Sequence, residues 1–415
     1  MSPDVIIVGA GIIGAACARA LAAVGLSVTV LDGSAAASGT SGQGEGNILV
    51  SDKEAGPELV LAQRSLVLWD GLGASLDEEL PPAVRPALPP MEYERKGGLV
   101  VATTGAGAGP LLEFARAQRE AGVDARPVDR AAALRLEPSL NPAVTAAVHY
   151  PQDAQVQPVI AAETFLAAAR VRGADIRYGE AVTGALRAGD GRITGVQTAH
   201  GSVSASHVVV AAGPWSGRVA GLLGTALPVR PRRGVMLVTT RMPHRIFHKV
   251  YDADYVGAVG SGDATLQTSS VIESTAAGTV LVGSSRRQQG FDASLDLAAM
   301  REIAAKATRV FPFLAQASVL RVYGGFRPFM PDHLPVIGPD PRIPGLWHAT
   351  GHEGAGIGLS LATAELLRDL ITGGTPAVDP RPFSPGRPGV TAALASESGR
   401  TGPPGPPGPP DGEAA

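Results

Sequence analysis

The sequence predicts an α/β protein in which a Rossmann-type nucleotide-binding domain is interrupted by an inserted, β-rich α+β domain. Three observations predict it. Residues 4–32 read as strand, glycine turn, helix and strand ("DVIIV", "GAGIIG", "AACARALAAVG", "SVTVLD"). From about residue 228 to 324, β-rich runs such as "GVMLVTT" and "GTVLVGSS" surround one helical stretch, "LDLAAMREIAAKATRVF". Near the C-terminus "GHEGAGIGLS" (351–360) sets four glycines ahead of the helical "LATAELLRDLIT". A βαβ opening, a β-rich middle and a helix-capped return fit one nucleotide-binding domain split by another.

Taken in order, the second strand is followed by "SAAASGTSGQGEGN", a loop of small residues. A helix over "GPELVLAQRSLVLWDGL" comes next, with apolar residues at helical spacing. "ELPPAVRPALPP" reads as a connector, "YERKGGLVVAT" as a strand hairpin and "AGPLLEFARAQREAG" as a helix. Helix then strand return at "DAQVQPVIAAETFLAAARVRGADIRYGEAV", and "GRITGVQTAHGSVSASHVVVAAGPWS" adds three strands, the last of them buried. The nucleotide-binding domain is therefore expected at residues 1–90, 150–227 and 325–378, and the substrate-binding domain at 91–149 and 228–324. From 379 to 415 the composition turns to Pro, Gly, Ser and Ala. "GPPGPPGPP" has the collagen period, but three triplets cannot sustain a triple helix, so a disordered tail is expected.

Bulk properties exclude several classes. The 35 basic and 38 acidic residues leave a net charge of −3, so no global field draws in nucleic acid or anionic lipid. The single cysteine, Cys17, excludes an internal disulfide, a cysteine-held iron–sulfur cluster and a cysteine-based zinc site. Among alanines in the first helix it reads as a small packed core residue, and no metal site is expected. No basic leader precedes "VIIV", and no apolar run reaches the ~18–20 residues of a membrane span. A cytoplasmic location follows as the default, with any membrane association made through partners.

Gly9-x-Gly11-x-x-Gly14 follows an apolar strand and opens a helix. Gly9 permits the tight turn, Gly11 lets the backbone approach a pyrophosphate, and Gly14 allows close helix–strand packing. Asp32 closes the second strand where a carboxylate accepts from a ribose hydroxyl, with Gly33 directly after it. NAD and FAD both use this fingerprint. Two further glycine-bearing elements suggest a cofactor lying across the fold: "HVVVAAGPWSG", with Ala212, Gly213 and Trp215, and the loop from Gly351.

At this point the residues carry a resemblance. "DVIIVGAGIIGAACARAL", "HVVVAAGPWS", "YGGFRPFMPDHLPVIG" and "GHEGAGIGLS", in that order, resemble the D-amino acid oxidase superfamily of FAD-dependent oxidoreductases over residues 4–375. "SGTSGQGEGNILVSDK" looks more narrowly like the FAD subunit of D-hydroxyproline dehydrogenase, opine oxidase and hydrogen cyanide synthase. The resemblance implies a glutathione-reductase-like βαβ domain holding non-covalent FAD, because the cysteine to which sarcosine oxidases tether their flavin is missing. It implies that Gly354, Ala355, Gly356, Ile357 and Gly358 pack on the flavin ring. The helix after them would stabilise charge on the reduced ring. Thr40, Ser41, Gly46 and Asn47 would wrap the ring and phosphates, and Val182 would meet the adenine. His352 and Glu353 would contact flavin or substrate, or lie exposed on the loop.

Arg327 in "GGFRPFMPDHLPVIG" is the expected substrate-carboxylate clamp, with a structural ion pair to Asp332 as its alternative. Tyr251 and Tyr255 would face the flavin from the middle domain, or pack in its sheet. Arg232, Arg233 and His248 lie nearby with no motif to orient them. The implied reaction removes hydride from the α-carbon of an amino or imino acid onto flavin N5, with no protein base required. Candidate substrates are a D-amino acid, D-hydroxyproline, glycine, sarcosine or an opine. Electrons would pass to O₂, a quinone or redox partner subunits. A flavin-dependent 2-hydroxy acid dehydrogenase and a non-catalytic FAD-binding subunit are the competing readings.

Overall fold

A computed structural model describes residues 2–253 and 260–398. Tyr255 lies outside the described residues. The opening apolar strand Val5–Val8 is fully buried and sits in the middle of a six-stranded sheet. Its order is Val336–Pro339, Leu346–Thr350, His207–Val210, Val5–Val8, Val28–Asp32 and Asp175–Tyr178. Neighbours run parallel except the outer pair Val336–Pro339 and Leu346–Thr350. Strands buried on both faces need helices above and below. The helix Ile12–Ala23 packs here against Gly356–Thr372 and Pro158–Val171. Cys17 is fully buried in that first helix, and burial pushes its thiol up to about 12.

The chain leaves Val5–Val8 to pair on one side with Val28–Asp32 and returns much later to pair on the other side with His207–Val210. Strand order reverses at this point, and a crevice opens at the carboxyl ends of both strands. Gly9 and Ala211–Gly213 therefore stand side by side at its mouth. A side chain on Gly9, whose φ is +116°, would press to 2.5 Å from the Ala211 carbonyl.

A second, eight-stranded sheet carries the β-rich block. Its order is Val319–Phe329, Arg230–Thr239, Val280–Arg286, Gln267–Ser274, Lys249–Asp252, Gly98–Ala102, Ala146–Tyr150 and Arg126–Val128. The helix Leu297–Val310 covers one face with Ala299, Ile303, Ala307 and Val310, a stripe at three- and four-residue spacing. Two small antiparallel sheets remain, one of Val182–Arg187, Ile193–Thr198 and Gly201–Ser204 and one pairing Asn47–Ile48 with Ala154–Gln155.

Three expectations are corrected. "YERKGGLVVAT" is not a hairpin: Gly98–Ala102 pairs with Ala146–Tyr150 and, in parallel, with Lys249–Asp252. Both partners are remote in sequence, which a local pattern cannot reveal. The boundary placed at residue 325 divides a continuous strand, Val319–Phe329, whose Arg327 lies opposite Arg232. The tail expected from 379 is ordered to residue 398: Arg381–Phe383 forms a turn of 3₁₀ helix and Pro388–Ser398 an α-helix. Arg387, 8% exposed, fixes this segment through a two-point pair with Asp332 (2.7 and 2.9 Å) and a bond to the Pro335 carbonyl (2.9 Å).

Candidate active site

The crevice continues into a cavity of about 1060 Å³ running from Asp32 and Val182 to Met236 and Arg327. Its volume lies at the upper end of the range for small-molecule sites, about 300–1,000 Å³. Two helices begin on its wall, at Gly11–Ile13 and Gly356–Ile357, and neither starting residue supplies a side-chain cap. Uncapped first turns present backbone N–H donors to whatever fills the space, which suits an anion or an electron-rich ring. The hydroxyl of Ser41 takes one of these donors, Ile12 N–H, at 3.0 Å.

Asp32 closes the opposite end. Its carboxylate accepts from the backbone of Ala10 (2.7 Å) and Ser34 (2.8 Å), so the oxygens are held in place at the cavity edge. Gly33 and Val182 line the same end; Ala212, Gly213 and Trp215 also line the cavity, with Trp215 stacked on Phe291 at 5.4 Å and Phe291 against Phe326 at 5.3 Å. Thr40 Oγ1 donates to the Phe326 carbonyl, tying the early loop to the long strand of the second sheet. The donor set, the fixed Asp32 carboxylate and the glycine turn all fit a dinucleotide carrying a ring system.

Arg327 is half-buried in the wall with its Nη1 donating to the Ser285 carbonyl (2.8 Å). The guanidinium occupies the space a side chain on Gly234 would fill, and Gly354 leaves room on its other side. Asp332 is committed to Arg387, so the alternative ion pair for Arg327 is not made. His352 lines the cavity, almost fully buried, with Nε2 3.0 Å from Thr363 Oγ1. Burial pushes its pKa down to about 3, so the ring is neutral at physiological pH. Glu353, at φ +47°, is an anchor: Oε1 meets His333 Nδ1 at 2.8 Å and Oε2 faces Arg232 at 3.5 Å.

Six candidates lie off the cavity wall. Tyr251 is fully buried and hydrogen-bonded to Ser51 and Asp153, because Lys249–Asp252 is an interior strand. Gly14 seats the first helix against the Gly9 carbonyl, and Gly358 seats the last long helix against Asn47 and Ile48. Gly46 abuts Val156, Gly351 turns against Met330, and Ala355 precedes the helix start. Conversely, Glu45, Met236, Ser284 and Phe326 line the cavity without having been singled out. Only Glu45 left a sequence signal, an acid inside an otherwise small and polar loop. Among the described residues no group of three or more His, Cys, Asp or Glu is placed to hold a metal ion.

A family model for the FAD-dependent oxidoreductases named DAO matches residues 4–370. The chain belongs to this family. Glycine oxidase of Pseudomonas aeruginosa is 30% identical over 93% of this chain and 99% of its own length. Hydrogen cyanide synthase subunit HcnC of the same species is 32% identical over 63% of this chain and 59% of its own. Other matched relatives are spanned over only about half their length, 49% in one case. The crystal structure of glycine oxidase from Geobacillus kaustophilus superposes with a TM-score of 0.81 at 27% identity, covering 92% of this chain and 98% of that one. This DAO-family chain is thus an FAD-dependent oxidoreductase. Its geometry places the fingerprint turn and the C-terminal glycine loop on one cavity.

Proposed function

We propose that the protein oxidises an α-amino or imino acid, of the D-amino acid, D-hydroxyproline, glycine, sarcosine or opine type. The observation carrying this reading is Arg327, a guanidinium seated between two glycines in the wall of the cofactor cavity. A fixed fork of donors grips a carboxylate at two points and orients the carbon beside it. His352, kept neutral by burial, adds no competing charge. Met236, Phe326 and Trp215 present apolar surface that excludes water from the same space. Bound FAD supplies the acceptor for the hydride lost from the α-carbon.

Gly9, Gly11, Asp32, Gly33, Ser41 and Val182 would hold the dinucleotide. Gly354, Gly356 and Ile357 would meet its ring, and the eight-stranded sheet would carry the substrate. With Cys17 shut inside the first helix, non-covalent binding is the supported mode. Electrons would leave to O₂, a quinone or a partner subunit. The relative named as a synthase subunit supports the last. Among the described residues no helix is long and apolar enough to cross a membrane.

The test is anaerobic mixing of the yellow protein with D- and L-amino acids, proline, hydroxyproline, sarcosine, opines and 2-hydroxy acids, following loss of oxidised-flavin absorbance. One amino or imino acid should bleach it. Arg327→Ala should raise the KM for that compound at least about 30-fold, as loss of one partner of a hydrogen-bonded charge pair implies. Bleaching by 2-hydroxy acids alone, or by nothing in the panel, overturns the reading.

A further inference from the structure

Arg327 accounts for a carboxylate, which amino and hydroxy acids share. What tells them apart is the charge of the ammonium, which calls for an anionic acceptor where a neutral hydroxyl does not. Two acceptor oxygens at the cavity, Glu45 Oε1 and Asn47 Oδ1, are closed off from water and have no hydrogen-bond partner among the described residues. Their orientation is fixed by one bond: Asn47 Nδ2 donates to Glu45 Oε2 at 2.8 Å. One of the two amide N–H donors is thereby turned to the carboxylate, which leaves the Asn47 carbonyl as a second acceptor. An unpaired buried carboxylate oxygen is costly, and a cationic donor brought by a ligand removes the cost.

The second sheet sets where that donor would lie. Glu45 Oε1 occupies the space a side chain on Gly283 would fill, beside the sulfur of Met236. Arg327 occupies the corresponding space above Gly234. Residues 234 and 236 point to the same face of one strand, about 7 Å apart. Two glycines thus clear one sheet face for a fixed cation and a fixed anion a short step apart. Two titratable groups feel the charge of Glu45, and neither hydrogen-bonds its Oε1. Lys249 is ion-paired with Glu273; burial pushes it down to about 7, and the charge of Glu45 is the largest influence drawing it back up. The Tyr323 phenol is pushed up to about 12, by burial first and then by the charge of Glu45.

We infer that Glu45, assisted by Asn47 Oδ1, receives the substrate's amino group while Arg327 holds its carboxylate, which makes the site selective for amino and imino acids over 2-hydroxy acids. The inference rests on the amino-acid reading above and assigns Asn47 to substrate rather than to cofactor.

The experiment uses the FAD-loaded protein, the amino acid that bleaches it, and the desamino analogue with the same carbon skeleton. Glu45→Gln should raise the KM of the amino acid about 10–100-fold, the range expected for a hydrogen bond to a charged group. The inhibition constant of the desamino acid and the dissociation constant of FAD should both stay within about twofold, and Glu45→Asp should recover part of the loss. An unchanged KM overturns the inference, as does an equal rise for the desamino acid. Weakened FAD binding overturns it too, because Glu45 would then serve the cofactor. If no amino or imino acid bleaches the protein at all, the functional reading itself fails. That outcome is distinct from an unaffected Glu45→Gln variant, which removes only the inference.

Discussion

A single carboxylate shows how a loop of apparent surface residues becomes part of the site's frame. Glu353 sits in a backbone conformation that non-glycine residues seldom adopt, and its two oxygens face His333 and the fully buried Arg232. The hydrogen bond that His333 donates to Glu353 is the main reason its pKa lies above the ordinary 6.5. A histidine whose folded pKa is raised stabilises the fold fully below its unfolded value. That contribution fades as pH rises through the folded value. Thermal unfolding measured from pH 5.5 to 8.5 should therefore show a fall in stability starting above about pH 6.5. Glu353→Gln should flatten that part of the curve and return His333 toward 6.5 in an NMR titration. Parallel curves for the two proteins would show that the pair does not titrate as the geometry requires. That Arg327 would reach the cavity was legible because proline and glycine brace it within one motif. Tyr251 takes the second of its two expected places, packed in the sheet, because a strand sequence shows alternation and not which face meets a cavity and which meets Asp153.

At the scale of elements, the segment after residue 379 carries the clearest departure from sequence expectation. Composition averaged over 37 residues hid a short helix that starts with Pro388 in its first turn and buries Val390 against Met330 and Val336. Its anchor is Arg387, whose guanidinium spans Asp332 and the carbonyls of Leu334 and Pro335. That stretch begins five residues after Arg327, so docking of the segment fixes the backbone beyond it. Arg387→Ala leaves Asp332 without its partner, and breaking a buried pair from one side costs about 3–5 kcal/mol. Urea unfolding should register that loss through a lower midpoint at unchanged slope. A shift under about 1 kcal/mol, the scale of an exposed pair, would mean that the segment is not held through this arginine. The first βαβ unit, by contrast, was readable because its strand, turn, helix and acid lie within 32 contiguous residues. Strand pairs such as Gly98–Ala102 with Lys249–Asp252 join residues about 150 apart, and no local pattern encodes that distance.

For the whole molecule, the cavity is lined from both large sheets, and Arg327 reaches it from an edge strand of the eight-stranded one. Motifs from four separated parts of the chain converge on it, and their order in sequence was enough to give the family. Its lining from the eight-stranded sheet was not legible, since Met236, Ser284 and Gly234 sit in ordinary β-rich runs whose facing partners are set only by folding. A ligand that bridges both sheets binds the assembled molecule and not the unfolded chain, so it stabilises the fold by mass action. At free FAD a hundredfold above its dissociation constant, that amounts to about 2.7 kcal/mol. Apoprotein prepared by mild denaturant or acid treatment and then titrated with FAD should show a melting temperature that climbs with the logarithm of FAD concentration. Asp32→Ala removes the acceptor at the far end of the cavity and should move that curve to higher FAD concentrations. Its slope at saturation should be unchanged, because one molecule still binds per chain. A melting temperature indifferent to added FAD would mean that the dinucleotide does not span the cavity, and the assignment of Asp32 and the C-terminal glycine loop to one ligand would fall with it.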